Sequence, residues 1–451
     1  MRDWLARAFD RRPYHPFVIT PEGPHSFEEV EHRVRCAVGA LQQAGIGPGD
    51  RVALWPGNDV DSVVGFFSIP RTGASVAVLN TRLTAEEARA QASYAKVDAM
   101  VGPAPDLGVA RIGPLDGPAV APTPADPHGT HSIFFTSGSS GRPKGVRLTW
   151  ANLEASAAAS AIHLRHEVDD RWLAVLPIFH VGGFMILVRS AREASTVVLE
   201  PRFDADRAAE LLRRVSLASF VAVMLDRVLE AGGGAYQGVR AVLLGGGPTP
   251  QRLLDRAAAL GLPVLPTYGM TETASQIATA PLEDGLRPRR AATAMPGAEV
   301  RLGPSGRIFV RGPMVSPGYL GEPDRESDWL ETGDVGEIDE IGRLTVLGRT
   351  DDVIVTSGEN VHPLEVEAAI REHPQVADVA VVGMPDPRWG EVVAAVYEGA
   401  VSPGDLDRKA RYKLAGYKVP RRWVHVEQLP RLSIGKVDRA AVRKMVAGEG
   451  V

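Results

Sequence analysis

A short run of small residues, Phe134–Gly145 (FFTSGSSGRPKG), carries the types of side chain that bind phosphate groups. Glycines let backbone N–H groups approach a ligand closely, and hydroxyl groups together with one lysine suit phosphate oxygens. The run is not a P-loop, because Arg142 and Pro143 separate Gly141 from Lys144. Glycine and serine are also common in plain surface turns. The residues alone therefore leave two interpretations open, a phosphate-binding loop and a flexible turn.

Four further segments combine permissive glycines with polar or aromatic side chains. They are LLGGGPTP (Leu243–Pro250), TYGMTET (Thr267–Thr273), ETGDVG (Glu331–Gly336) and LGRTDDVIVTSGENV (Leu347–Val361). The first two follow apolar runs that predict strands, and open parallel sheets bind ligands at the carboxyl ends of their strands. A strand-to-helix turn, a turn aspartate and a charged linker explain the same residues without a ligand. Each segment by itself fits both a structural and a functional role.

Several other kinds of active site are excluded by the sequence. The serines of TSGSSG do not form G-x-S-x-G, so no nucleophile elbow is indicated. No G-x-G-x-x-G opens a first βαβ unit, and cysteines or histidines do not pair at metal-ligand spacing. The segment RHEVDD (Arg165–Asp170) differs from H-E-x-x-H, and we expect its charges at a solvated helix end.

The bulk composition is that of an ordinary globular protein. Its 451 residues, 44% hydrophobic and 23% charged, are enough for two or three domains with a large core. The net charge of −5 gives no reason to expect nucleic acid or an anionic membrane as a partner. The single cysteine, Cys36, excludes an internal disulfide framework, and the N-terminal segment lacks the apolar core of a signal peptide. We expect a cytoplasmic protein without membrane insertion, and the sequence leaves open whether it forms a homo-oligomer.

The elements that position these segments alternate between helix and strand patterns in the first part of the chain. Ser26 with Glu29, and Thr84 with Glu87, have the spacing of a capping box at the start of a helix. Strand-like runs such as RVAL, SVAVLN and STVVLEP alternate with the helix patterns. This alternation predicts βαβ units and largely parallel sheets.

The pattern changes beyond Glu299, where two hairpins are predicted to turn at Gly303–Gly306 and at Gly342. A mixed pattern follows Arg349, with helices PLEVEAAIREH and DLDRKARYKL and strand VADVAVVG. The remaining length is enough for a small domain. We therefore predict an α/β fold with a large N-terminal domain of βαβ-type sheets plus a β-hairpin region, residues 1–349, and a small α+β C-terminal domain, residues 350–451.

The order of five segments, TSGSSGRPKG, YGMTET, TGD, GRTDD and GKVDR, resembles the adenylate-forming superfamily over essentially the whole chain. That superfamily comprises acyl- and aryl-CoA ligases, carrier-loading adenylation domains and luciferases. Within it, LPIFHVGG (Leu176–Gly183), LLGGGPTP and TYGMTETASQIAT are most similar to the o-succinylbenzoate–CoA ligases of menaquinone synthesis. The resemblance implies an AMP-forming acid–CoA ligase that uses ATP, Mg²⁺ and coenzyme A and forms an acyl-adenylate.

The resemblance also implies an ATP site. The β- and γ-phosphates would lie in the glycine-rich loop, on Thr136, Ser137, Gly138, Ser139, Ser140, Gly141 and Lys144. Adenine would stack near Tyr268, with Gly245, Gly246 and Gly247 as the opposite wall, and Gly269 also belongs to the ATP site. Asp334 would accept from both ribose hydroxyls, with Arg349 beside it.

The remaining roles implied by the resemblance concern chemistry and domain movement. Thr271 would bind the α-phosphate, and Glu272 would hold Mg²⁺, since a carboxylate suits a hard cation. Lys436 would bridge the acid's carboxylate and the α-phosphate. Asp351 matches the hinge about which the mobile C-terminal domain swings, and Gly358 would let the pantetheine of coenzyme A pass close to the backbone.

A single cation is the candidate for recognising the acid. Arg189 lies nine positions beyond His180, after an apolar run. In the o-succinylbenzoate branch a basic residue at this spacing helps to bind a carboxylate of the acid, and His180 and Gly183 would line the same pocket. From the sequence alone, the pattern favours Arg189 as the first polar residue at a helix end. Which of the acid's two carboxylates it meets stays open.

Three other functions remain open at this point: a ligase for another acid, a protein that loads a carrier domain, and a non-catalytic nucleotide-binding relative. The presence of both Glu272 and Lys436 argues against the last, because a protein without catalysis has no need of either. Turnover with free coenzyme A distinguishes a ligase from a carrier-loading protein.

Overall fold

The computed structural model describes residues 2–137, 143–232, 235–247, 249–287, 291–356, 359–387, 389–432 and 437–448. Its α-helices are α1 (Trp4–Arg11), α2 (Phe27–Gln43), α3 (Val60–Ser68), α4 (Ala85–Ala95), α5 (Trp150–Leu164), α6 (Val181–Glu193), α7 (Ala205–Leu211), α8 (Ala222–Ala231), α9 (Gln251–Ala259), α10 (Pro363–Arg371), α11 (Pro403–Lys413) and α12 (Arg439–Ala447).

The strands of the same residues fall into two groups along the chain. Those of the first part are β1 (Pro16–Thr20), β2 (Gly23–Ser26), β3 (Arg51–Leu54), β4 (Ser75–Val78), β5 (Ala99–Val101), β6 (Ala110–Arg111), β7 (Thr130–Ser137), β8 (Pro143–Thr149), β9 (Arg171–Ala174), β10 (Thr196–Leu199), β11 (Leu217–Phe220), β12 (Ala241–Leu244), β13 (Val264–Met270), β14 (Ser275–Thr279) and β15 (Thr293–Ala294). Those of the second part are β16 (Glu299–Leu302), β17 (Arg307–Arg311), β18 (Gly318–Tyr319), β19 (Leu330–Ile338), β20 (Leu344–Arg349), β21 (Ile354–Thr356), β22 (Glu359–Val361), β23 (Asp378–Asp386), β24 (Gly390–Glu398) and β25 (Arg422–His425).

The chain divides into two compact units. The first comprises Met1–Thr249, Leu253–Glu299 and Val310–Leu330, and the second comprises Pro250–Arg252, Val300–Phe309 and Glu331–Val451. The predicted α/β fold class, with a large sheet domain followed by a smaller domain, is confirmed. The predicted boundary between residues 349 and 350 stays a prediction.

A nine-stranded sheet in the first unit has the strand order β15-β14-β13-β12-β11-β9-β10-β1-β2. Its strands from β13 to β1 are parallel, as the alternation of helix and strand patterns predicts. The N-terminal strand β1 pairs with β10, so that Val18 lies opposite Val197. β14 and β15 extend the sheet in the antiparallel sense beyond β13.

A seven-stranded sheet, also in the first unit, has the order β18-β8-β7-β4-β3-β5-β6. Its parallel part ends at β7, which turns back into the antiparallel strand β8. The two-residue strand β18 then pairs antiparallel with β8. One hydrophobic core contains residues of both sheets and of α6, a helix whose residues from Gly183 to Ala191 are all buried.

The helix starts follow the capping residues in the sequence. The Ser26 side chain accepts from the Glu29 backbone N–H, and the Glu29 side chain accepts from the Ser26 backbone N–H. Thr84 and Glu87 form the same reciprocal pair at the start of α4. Both predicted capping boxes are confirmed, because this motif depends only on residues three positions apart.

The second unit contains the remaining sheets. Strands β16, β17, β19 and β20 form a four-stranded sheet in that order, most of whose residues belong to this unit. β19 and β20 form the predicted hairpin, and Gly342 in its turn has the left-handed φ of 81°. The C-terminal part folds around β23 and β24, an antiparallel pair flanked by α10 and α12.

One sequence-based expectation is wrong. Asp170, expected with the rest of Arg165–Asp170 at a solvated helix end, is only 4% exposed. Its carboxylate accepts from Arg240 Nη1 at 2.9 Å and from the Ser216 hydroxyl at 2.6 Å. Because both partners are distant in sequence, the local pattern of charges gave no sign of this burial.

No helix among the described residues is long and apolar enough to cross a membrane.

Candidate functional site

Strands β7 and β8 precede and follow the glycine-rich loop. Phe134 is buried in β7, and the register of β7 with β8 places Thr136 opposite Lys144. Gly138, Ser139, Ser140 and Gly141 lie outside the described residues. This register brings Thr136 and Lys144 to the same end of two paired strands. That is the arrangement expected of a phosphate-binding loop with its lysine on the strand that leaves it.

Tyr319 connects Lys144 with Glu272. In the register of β18 with β8, Tyr319 lies opposite Val146, and Lys144 is two residues along on the same face of the sheet. The Lys144 Nζ accordingly lies 4.8 Å from the centre of the Tyr319 ring. The hydroxyl group of the same tyrosine donates to Glu272 Oε1 at 3.0 Å.

The turn that carries Thr271 and Glu272 leaves the end of β13. A register shift between Tyr268 and Gly269 interrupts the pairing of β13 with β14, and a 3₁₀ turn, Thr271–Thr273, follows. A Cβ atom on Gly269 would lie 1.6 Å from the carbonyl oxygen of Ser275, so only glycine fits there. The backbone carbonyl of Glu272 accepts from the Ser316 N–H at 2.7 Å. These contacts fix the position of the turn from both sides.

We expect the substitution Gly269→Ala to disrupt this turn. The added methyl group overlaps backbone atoms that cannot rotate away, so the free energy of unfolding should fall by about 1–3 kcal/mol or more. Gly247→Ala is the matched control, because a Cβ atom there meets nothing within 4 Å. Thermal unfolding of the two variants checks the prediction. Equal melting temperatures for both would contradict it.

The three predicted adenine-wall glycines follow β12 directly. A Cβ atom on Gly245 would lie 2.8 Å from Thr267 Cγ2, so this glycine allows the neighbouring strand β13 to approach closely. Gly246 has a φ of 79°, which favours glycine because the left-handed region is open to it. The space beside Gly247 is open. The glycines thus leave bare backbone at the carboxyl end of a parallel strand, where ligands bind in such sheets.

The donor set around Glu272 fits Mg²⁺. Within the described part of the chain no group of three or more His, Cys, Asp or Glu side chains could hold a metal ion. Mg²⁺ in nucleotide enzymes is commonly held by one or two carboxylates together with substrate phosphates and water. Glu272 alone is therefore a sufficient protein ligand, and its carboxylate has a second oxygen besides the one that accepts from Tyr319.

In the second unit, Asp334 and Arg349 are a cross-strand pair. They lie opposite each other in β19 and β20, and Arg349 Nη1 donates to Asp334 Oδ1 at 3.2 Å. Asp334 is 7% exposed, and its backbone N–H donates to the Thr332 hydroxyl. The structure thus places Arg349 beside Asp334, the residue predicted to bind ribose. Asp351, the predicted hinge, is exposed in a short 3₁₀ turn, Thr350–Asp352.

The predicted acid-binding residues all belong to α6 or its start. His180 precedes the helix, and its ring centre lies 4.5 Å from that of Phe179. Gly183 packs closely against the backbone of Pro177, which precedes the helix. A Cβ atom on Gly183 would lie 2.4 Å from the Pro177 carbonyl oxygen. Arg189 follows in the same helix, about 9 Å further along its axis at 1.5 Å per residue.

Arg189 does not lie at a solvated helix end. Its side chain is 1% exposed, and its guanidinium carbon lies 5.5 Å from the centre of the Trp172 ring. Neither Nε nor Nη2 has a hydrogen-bond partner in the part of the chain that the structure describes. Burial lowers the pKa of Arg189 to about 9, because the charged form is desolvated. A buried cation that has no anionic partner among the described residues is costly.

Some predicted residues have no structural test, and one residue was missed. Gly358 and Lys436 lie outside the described residues. Tyr319 was not predicted, although the segment PGYLGEP, Pro317–Pro323, is a glycine- and proline-rich turn around one aromatic residue. Its link to Glu272 depends on the pairing of β18 with β8, strands separated by a long stretch of sequence.

The parallel sheets, the paired ends of β7 and β8 and the Thr271–Glu272 turn agree with the predicted adenylate-forming class of enzyme. The family model for AMP-binding enzymes matches residues 5–320, and the model for the AMP-binding enzyme C-terminal domain matches residues 365–436. The chain belongs to the AMP-binding enzyme family, and the predicted superfamily is confirmed.

Individual members of the family are similar to this chain over almost its whole length. The 2-succinylbenzoate–CoA ligase of Listeria monocytogenes serotype 4b is 36% identical over 464 residues, which covers 98% of this chain and 99% of that protein. The o-succinylbenzoate CoA synthetase of Bacillus subtilis, in complex with the acyl-adenylate intermediate, is 30% identical with a TM-score of 0.91 and 98% of each chain covered. The same Bacillus subtilis enzyme in complex with ATP and magnesium ion is 29% identical, with a TM-score of 0.91 and 99% of each chain covered.

Proposed function

We propose that this protein joins o-succinylbenzoate to coenzyme A, uses ATP and releases AMP and pyrophosphate, as a step of menaquinone biosynthesis. The observation that carries the choice of acid is Arg189, a buried guanidinium whose Nε and Nη2 are unpaired among the described residues. The names and high coverage of the relatives support the same reaction.

The chemistry needs no nucleophile from the protein. A carboxylate is a poor electrophile, so one of its oxygens first attacks the α-phosphorus of ATP and pyrophosphate leaves. The thiol of coenzyme A then attacks the acyl carbon of the adenylate, loses its proton and displaces AMP. The protein has to bring two anions together and stabilise the charge that develops on the α-phosphoryl oxygens. This requirement explains an active site built from glycines, hydroxyl groups and a few charges.

The nucleotide contacts follow from the positions of the candidate residues. Thr136 and Lys144, at the paired ends of β7 and β8, bind the outer phosphates. Thr271 donates to the α-phosphate from the turn that follows β13. When bound, Mg²⁺ neutralises phosphate charge, and Glu272 is the residue that holds it. Asp334 accepts from the ribose hydroxyls, oriented by the hydrogen bond from Arg349.

Two further assignments depend on the sequence motifs alone. Lys436 supplies a positive charge between the acid's carboxylate and the α-phosphate during adenylation. Gly358, beside the predicted hinge at Asp351, leaves room for the pantetheine arm during thioester formation.

Arg189 distinguishes this acid from the simple acids of other ligases. o-Succinylbenzoate has two carboxylates, and only one of them is activated. The second must be removed from water in a pocket beside a largely apolar helix, which requires a charged partner. The planar guanidinium of Arg189 can donate two parallel hydrogen bonds to a carboxylate. Acids with one carboxylate leave this cation unpaired, so they should be poor substrates.

We place the reaction in the cytoplasm, where ATP and coenzyme A are available. The single cysteine, Cys36, suits a reducing compartment. The proposed function holds for a monomer and for a homo-oligomer, because all the proposed site residues belong to a single chain.

The products of the reaction test the proposal. With ATP, Mg²⁺, coenzyme A and o-succinylbenzoate, we expect AMP, pyrophosphate and a mono-thioester, each measured by chromatography. Release of ADP in place of AMP would contradict the adenylation mechanism. Faster turnover of benzoate or of fatty acids in a panel of carboxylic acids would overturn only the choice of acid. Acyl transfer to a carrier protein without turnover of free coenzyme A would indicate a carrier-loading protein.

A further inference from the structure

Tyr319 is in contact with both charged side chains that the proposed nucleotide site uses in the first unit. Its hydroxyl group donates to Glu272 Oε1 at 3.0 Å, and its ring lies 4.8 Å from Lys144 Nζ. A neutral aromatic residue that contacts both the metal carboxylate and the phosphate lysine can hold them in a fixed relation. Tyr319 itself has no part in the nucleotide contacts proposed for the other residues.

The backbone around Tyr319 is anchored on the same two elements. The Tyr319–Leu320 segment is tied to β8 by the pairing of β18 and by a hydrogen bond of 2.7 Å from the Leu320 N–H to the Gly145 carbonyl. The Ser316 N–H donates to the carbonyl of Glu272 at 2.7 Å, and the Ser316 hydroxyl donates to the carbonyl of Arg147. The chain from Ser316 to Leu320 therefore joins the end of the glycine-rich loop to the Thr271–Glu272 turn.

The register explains why a tyrosine occupies this position. Opposite Val146, a side chain on β18 shares its face of the sheet with the diagonal neighbour Lys144, and an aromatic ring there attracts the ammonium group. Only a tyrosine also has a hydroxyl group at the far edge of the ring, where Glu272 lies. A phenylalanine preserves the first contact and loses the second.

We propose that Tyr319 is a positioning residue that presets the Glu272 carboxylate for the metal ion and holds Lys144 at the glycine-rich loop. The inference rests on the proposed adenylating function. The hydroxyl group restrains one oxygen of the carboxylate, so the other is held in orientation before the metal–nucleotide complex arrives. Partners that orient a metal ligand commonly change metal affinity by about 10- to 100-fold.

The test distinguishes the effect of the Tyr319 hydroxyl group from the effect of its ring. Tyr319→Phe should raise the Mg²⁺ concentration at half-maximal pyrophosphate release, without coenzyme A, by about 10-fold. Binding of Mn²⁺ in the presence of a non-hydrolysable ATP analogue, measured by electron paramagnetic resonance, should weaken by the same factor without any turnover. Tyr319→Leu should in addition raise the KM for ATP at saturating Mg²⁺ by about two- to five-fold, because Lys144 loses its aromatic partner.

Tyr94→Phe is the matched control. Its hydroxyl group donates to the carbonyl of Leu320, the next residue along, and makes no hydrogen bond to Glu272. This variant should keep the metal dependence of the unsubstituted protein. Combining Tyr319→Phe with Glu272→Gln should give no further loss of Mn²⁺ binding beyond that of Glu272→Gln alone.

The outcomes that overturn the inference differ from those that overturn the function. A protein that adenylates no acid refutes the proposed function. Adenylation with an unchanged metal titration in Tyr319→Phe refutes the positioning role, whether or not the melting temperature falls. Additive losses in the double variant refute it as well, because they show that Tyr319 does not act through Glu272.

Discussion

Replacing Arg189 with methionine should lower kcat/KM for o-succinylbenzoate by about 30- to 4,000-fold and leave the KM for ATP nearly unchanged. The range corresponds to about 2–5 kcal/mol, the cost of removing one partner of a buried charge pair. The physical reason is that, in the proposed complex, the acid's second carboxylate would be removed from water without its cation. Steady-state kinetics with each substrate varied in turn measures both constants.

The melting temperature of the unliganded Arg189→Met variant distinguishes a substrate-binding role of Arg189 from a structural role. Because Nε and Nη2 of Arg189 lack hydrogen-bond partners among the described residues, a methionine of similar length should leave the melting temperature unchanged or raise it. The matched control is Arg192→Met in the same helix, because Arg192 Nε donates to Glu154 Oε1 at 2.9 Å. That variant should lose stability and keep the KM of the acid. Unchanged acid kinetics in Arg189→Met together with a lower melting temperature would make Arg189 a structural residue and leave the substrate unassigned.

Replacing Lys436 with alanine should reduce acyl-adenylate formation by about 10²- to 10³-fold or more, the effect of removing one preorganised charge at the reacting phosphate. Thioester formation from a supplied acyl-adenylate should be much less affected, since the proposed role of the lysine ends when pyrophosphate has left. Pyrophosphate release without coenzyme A measures the first step, and single-turnover thioester formation measures the second.

Lys444→Ala is the control for that experiment. Lys444 is exposed on α12, the helix that begins at the last residue of the GKVDR segment, and its removal changes the net charge by the same amount. Both half-reactions should keep their rates in this variant. Equal losses of the two half-reactions in Lys436→Ala would mean that the lysine stabilises the domain and has no separate part in adenylation.

Local features of the fold were predictable from the sequence, because their causes are local. The capping boxes at Ser26 and Thr84 depend on residues three positions apart. The hairpin at Gly342 depends on a glycine in a left-handed turn. The alternating apolar runs predicted the parallel strands, since strands buried on both faces are almost continuously apolar.

Contacts between residues distant in sequence were not predictable in this way. Asp170 is buried because Arg240 and Ser216 satisfy its carboxylate, and nothing within RHEVDD indicates either partner. Tyr319 was missed because its role follows from the pairing of a two-residue strand with β8. The burial of Arg189 excludes a solvated helix end, which its position after an apolar run did not reveal.

The pairing of β1 with β10 has a consequence for synthesis of the chain. Val18 leaves the ribosome long before Val197, its neighbour in the sheet. At 5–20 residues per second this separation amounts to roughly 10–40 seconds. During that interval β1 can pair with β2 but not with β10, so Phe17 and Val18, fully buried in the finished protein, lack one of their two neighbouring strands and remain accessible to chaperones. The first strand to be made is thus among the later ones to be incorporated into its sheet.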